Sequence, residues 1–91
     1  MENSDEKPFH SSVDFRVLGK KIQKTRKAKG IRQAELADRL DISYQYMSMI
    51  ENGRRQVSLP LLVQIANELS VPTDYLLADF LEAVQEKNEK I

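Results

Sequence analysis

From Gln33 to Gly53 the chain reads QAELADRLDISYQYMSMIENG. Leu36, Ala37 and Leu40 recur at helical spacing, so residues 35–40 are expected to form a short helix with one face to bury. Asp41 and Ile42 make a tight connection. Ser43 can then accept a hydrogen bond from a backbone N–H as the N-cap of a second short helix, in which Met47 and Ile50 face inward until Asn52-Gly53 ends it. Two short helices joined by a three- to four-residue turn with a small apolar anchor form a helix-turn-helix, and the second of them keeps Tyr44, Gln45 and Met49 for its outer face.

The surrounding sequence supplies the rest of a helical domain. A first helix is expected to begin near Asp14, with Leu18, Ile22 and Thr25 or Arg26 on one stripe, and to stop at Gly30, where the missing Cβ suits a left-handed residue. Ser58 caps a fourth helix carrying Leu62, Ile65, Ala66 and Leu69, and Pro60 is tolerable in its first turn because no intrahelical N–H is lost there. Pro72 opens a fifth, striped by Leu76, Leu77, Phe80, Leu81 and Val84, before the charged tail from Glu86 to Ile91. No strand pattern and no internal repeat is visible. The expected fold class is all-α, a compact five-helix bundle with a C-terminal helical extension. Residues 1–13, polar and without periodicity, are read as a flexible arm, 14–78 as the folded domain, and 79–91 as the helical extension or charged tail.

Composition narrows the function. Ninety-one residues, 41% of them hydrophobic and 31% charged, suit one modest core and no separate sensing domain. With no cysteine, and His10 as the only histidine, disulfides, thiol catalysis and a structural zinc built on Cys and His ligands are excluded. No cofactor and no metal is expected. No phosphate loop, nucleophile elbow or paired acid cluster appears, so catalysis is not expected either. The longest apolar run, Leu59 to Val63, is far too short to cross a membrane, and a cytoplasmic location follows in the absence of a signal-peptide core. The net charge of zero hides a segregation: residues 15–55 hold eleven cations against four acids, a net +7, which the two acidic flanks cancel. Such a distribution suits a polyanion on one face, although a solvated lysine-rich helix has the same composition.

Gln33-Ala34-Glu35-Leu36-Ala37, Ile42-Ser43, Ser48 and Ile50-Glu51-Asn52-Gly53 together resemble the helix-turn-helix pattern of the Cro and phage-repressor (Xre-type) family, over about Leu18 to Leu77. The resemblance implies a bundle of the lambda-repressor-like type with the third helix in the major groove of double-stranded DNA. It implies that Gln33 holds a phosphate and braces a recognition side chain, and that Tyr44, Gln45 and Met49 face the bases. Gln45 has the donor and acceptor to match adenine N6 and N7, while Tyr44 and Met49 offer apolar contact to a thymine methyl. Ser43 and Ser48 are candidate backbone contacts, with capping an equal alternative for Ser43. Arg54 and Arg55 would reach phosphates from the loop beyond the helix. Arg26 and Glu51 match positions that form a buried structural ion pair.

Two positions depart from the family pattern. Arg32 stands where the N-cap of the second helix is usually Ser, Thr or Asn, so a cap is missing and a cation opposes the helix dipole; a nearby DNA phosphate or plain tolerance would each account for it. Asp41 replaces the usual glycine of the turn. The leading function is a sequence-specific transcriptional regulator, a repressor, acting as a homodimer on a two-fold related operator. The alternative is an antitoxin or co-regulator that binds a protein partner through its apolar last helix. Because helices one to four already supply a core, Tyr75, Phe80, Leu81 and Val84 are expected in or near a dimer interface. A fifth helix folded back to close the monomer core is the competing arrangement.

Overall fold

Asp14 starts the first helix by accepting the Arg16 backbone N–H on Oδ1 at 2.9 Å, which satisfies one of the donors that a helix start leaves free. The computed structural model describes residues 14–89, with side chains through Leu81. Among them are five helices and no strand: α1 (Phe15–Ala28), α2 (Gln33–Leu40), α3 (Tyr44–Glu51), α4 (Leu59–Leu69) and α5 (Thr73–Glu89). The expected arm over residues 1–13 lies outside the described residues. Helix α2 starts two residues earlier than its apolar stripe indicates, because Gln33 and Ala34 complete its first turn.

The first four helices stop in the same way. A left-handed residue, Gly30, Asp41, Gly53 or Ser70, follows each, and its N–H and that of the next residue fold back onto carbonyls of the last turn. Ile31 N–H donates to Arg26 O and Gly30 N–H to Lys27 O, the paired bonds of a Schellman motif. Ile42 with Asp41, Arg54 with Gly53 and Val71 with Ser70 repeat it. Asp41 sits at φ 58, so the turn keeps its left-handed geometry without a glycine.

The core gathers Leu18, Ile22, Leu36, Met47, Ile50, Ile65, Leu69 and Leu76, one stripe from each helix. Helix α5 folds back along α1 and sets Phe80 5.3 Å from Phe15, ring centre to ring centre. Phe80 and Leu77 are partly buried against the core, whereas Leu81 stays 52% exposed. Gly19, buried in mid-helix, lets α1 meet the end of α3. A Cβ there would come closer to the Ile50 and Glu51 carbonyl oxygens than real Cβ atoms come.

Candidate nucleic-acid interface

The inner end of α3 is held by charge. Glu51 is fully buried and Arg26 nearly so, and the Arg26 Nε and Nη2 donate to the two carboxylate oxygens at 2.7 and 3.0 Å. The third guanidinium nitrogen, Nη1, donates to Ile31 O at 2.9 Å, so Arg26 also pins the turn between α1 and α2. Gln33 Nε2 adds a bond to Glu51 Oε1 at 2.9 Å. A buried ion pair recovers its desolvation cost only when further hydrogen bonds support it, and here Ile31 O and Gln33 Nε2 add two bonds to the pair's own two. Arg26 is therefore an architectural cation, unavailable to any ligand.

The outer side of α3 has a different character. Tyr44 is 55% exposed, Gln45 is exposed, and Ser48 and Met49 are partly so, while Met47 and Ile50 are buried beneath them. Ser43 Oγ accepts the Tyr46 N–H at 3.0 Å, which leaves its own hydroxyl hydrogen free to donate. Ser48 Oγ is 3.5 Å from the Asn52 amide nitrogen, a long contact that holds neither side chain firmly. Arg32, Arg54 and Arg55 are exposed, and among the described residues no ion pair engages any of them. The Gln33–Glu51 bond ties the start of α2 to the end of α3, so Arg32 and Arg54 border one edge of the molecule.

The remaining singled-out residues divide. Tyr75 lies against α1, with Lys21 Nζ 4.3 Å over its ring, and Leu81, six residues on, projects about 120° away around α5. The structure thus separates Tyr75 from Leu81, and the Val84 side chain lies outside the described ones. Two contributors are not apparent in the sequence: Gly19, whose only signal is a glycine inside a helix, and the Gln33 bond to a partner eighteen residues away.

A family model described as helix-turn-helix matches residues 22–76, which spans α2, α3, α4, the last two turns of α1 and the first turn of α5. The chain belongs to the Xre-type helix-turn-helix family. It is 37% identical over 79 residues to the transcriptional regulator in ATPase CF(0) region of Rhodospirillum rubrum, covering 87% of this chain and 71% of that one. It is 35% identical over 72 residues to the HTH-type transcriptional regulator ImmR of Bacillus subtilis, covering 79% of this chain and only 55% of that relative's length. Among solved structures, the restriction-modification controller protein C.AhdI from Aeromonas hydrophila superposes with a TM-score of 0.67 at 30% identity, over 69% of this chain and 96% of that one. The Xre-type family consists of DNA-binding transcriptional regulators, and this chain carries the DNA-binding domain of one. No helix among the described residues is long and apolar enough to cross a membrane.

Proposed function

We propose that the protein is a sequence-specific transcriptional repressor that binds a two-fold related operator as a homodimer, with α3 in the major groove. The observation that carries this reading is the outer side of α3, where Tyr44 and Gln45 stand exposed, followed in the chain by Arg54 and Arg55, which no acid among the described residues neutralises. Tyr44, Gln45 and Met49 read bases. Arg32, Gln33, Ser43, Ser48, Arg54 and Arg55 serve the sugar-phosphate backbone, which positions the helix without reading sequence. Gln33 keeps its carbonyl oxygen and one amide hydrogen for that task while its other hydrogen is committed to Glu51.

Dimerisation runs through α5. Leu81 and Val84 form the contact, Phe80 supports it from within by its packing on Phe15, and Tyr75, held against α1 under Lys21, stays at the rim. A two-fold pair places its recognition helices about 34–36 Å apart, one turn of DNA.

Selection of bound duplexes from a random pool tests the reading: it should return a palindromic site with half-site centres about 10 base pairs apart. Leu81→Asp, at an exposed position, should give a folded monomer with poor affinity for that site. An asymmetric single half-site, bound equally well by Leu81→Asp, would remove the dimer.

A further inference from the structure

Helices α1 and α5 leave a groove between them of about 870 Å³ whose lining includes no residue of α2 or α3. We propose that this groove is a docking site for an acidic amphipathic helix of a partner protein, a second surface separate from the DNA edge and independent of how that edge reads its operator.

Charge is the first argument. Lys20, Lys24 and Lys29 line the groove from α1, and among the described residues no ion pair engages them. Two other lining cations are engaged: Arg16 pairs with Asp14, and the Lys21 ammonium lies 3.6 Å from Asp79 and 4.3 Å over the Tyr75 ring, which neutralises the groove's one acid and fixes the aromatic face. What remains is a row of free cations beside the apolar surface of Val17, Val71 and Tyr75, the last 47% exposed. A bare phosphate backbone would match the cations and waste the apolar floor. An amphipathic partner uses both.

Shape is the second argument. The lining runs from Arg16 in α1 to Lys29 just past its end, thirteen residue steps or about 20 Å. The trough is a partly open cleft rather than an enclosed cavity, whereas a small ligand needs a site that covers most of its surface. A polymer segment gains by adding contacts along the trough. It must also satisfy its own backbone, because α1 and α5 spend their mid-helix N–H and C=O groups internally and offer no strand edge to pair with. A helix of about four turns meets both requirements, with apolar residues on the floor and carboxylates toward Lys20 and Lys24.

The test uses the full chain and a fluorescent synthetic peptide of about four helical turns, with leucines at i, i+3, i+4, i+7 and i+11 and glutamates on both flanks. The peptide should bind saturably, and its lysine-for-glutamate counterpart should not. Lys20→Ala with Lys24→Ala should weaken binding about fivefold, the worth of two exposed ion pairs. Tyr75→Ala should weaken it at least about fivefold, as for an aromatic anchor. The lysine changes should not alter the salt dependence of DNA binding. Absence of saturable binding, or undiminished binding to the double variant, would overturn the proposal. A shallower salt slope in the double variant would overturn it too, by assigning those lysines to DNA. A rise in peptide affinity on removing residues 1–13 would replace the partner by the chain's own acidic N-terminal segment.

Discussion

Helices α2, α3 and α4 begin on nearly the same backbone geometry and use it differently. Ser43 (φ −72, ψ 154) and Ser58 (φ −68, ψ 154) each accept an N–H three residues on, whereas Arg32 (φ −75, ψ 154) makes no cap at all. The helix ends show a matching contrast. The residue after the left-handed position is Ile31, Ile42 or Val71 in three cases, each partly buried against the core, and exposed Arg54 in the fourth. A side chain packed at that place normally completes the motif. Both exceptions are arginines, and the Gln33–Glu51 bond draws them to one edge. Local stability is given up there while it is kept elsewhere, the pattern expected where a surface is shaped by a ligand rather than by folding.

If that division holds, substitutions behind the edge should cost folding and substitutions on it should cost binding. The largest effect is expected at Glu51. Glu51→Ala leaves Arg26 buried without its carboxylate and should cost about 3–5 kcal/mol, a large part of the roughly 5–15 kcal/mol that holds a domain together. Thermal unfolding without DNA measures it. A midpoint equal to that of the parent chain would show that the pair carries no stability.

Gly19→Ala is the second test. In an ordinary helix interior, alanine is better than glycine by about 0.5–1 kcal/mol. Here the new Cβ would press on backbone carbonyls of Ile50 and Glu51, which cannot swing aside as a side chain would, so a loss of about 1–3 kcal/mol is expected. A stabilised Gly19→Ala protein would mean that α1 and α3 can separate without penalty.

These two positions also mark how far the sequence can be read. The helices were legible because their punctuation is local: Asp14, Ser43 and Ser58 cap within three residues, and Gly30 and Asp41 adopt the expected left-handed turns. The outer face of α3 was legible for the same reason, since Met47 and Ile50 leave Gln45 and Met49 on the opposite side of one short helix and Tyr44 exposed in its first turn. Gly19 and Gln33 act through partners 31 and 18 residues away, and no local periodicity reports a helix crossing. The apolar stripe of α5 was legible in the same way as far as Phe80, with Leu76 buried and Leu77 and Phe80 partly so. What spacing does not report is the neighbour across the crossing: Tyr75 takes Lys21 of α1 over its ring, yet stays nearly as exposed as Leu81.

On the edge itself, Gln45→Ala should leave the thermal midpoint unchanged, because the side chain is exposed. Its effect should be confined to one base position of the selected operator, where discrimination falls by about 1–3 kcal/mol. Equal losses on every sequence would instead place Gln45 on the DNA backbone and move base reading to Tyr44 and Met49.

The smallest effect separates the two sides of the comparison within a single residue. Arg32→Ser puts a hydroxyl on the backbone geometry from which Ser43 and Ser58 already cap their helices, and it removes a cation from the positive end of the α2 dipole. Folding should gain about 1 kcal/mol, near the usual worth of a serine cap, and the thermal midpoint should rise by about 4–8 °C. DNA affinity should fall on all sequences together, with a salt slope shallower by about 1, because a phosphate contact releases one counterion fewer. The two readouts move in opposite directions only if the missing cap is the cost of a charge kept for DNA. A rise in midpoint with unchanged affinity and slope would make Arg32 a tolerated weak cap. The edge would then rest on Arg54 and Arg55, whose exposed guanidiniums have no cap to give up in exchange.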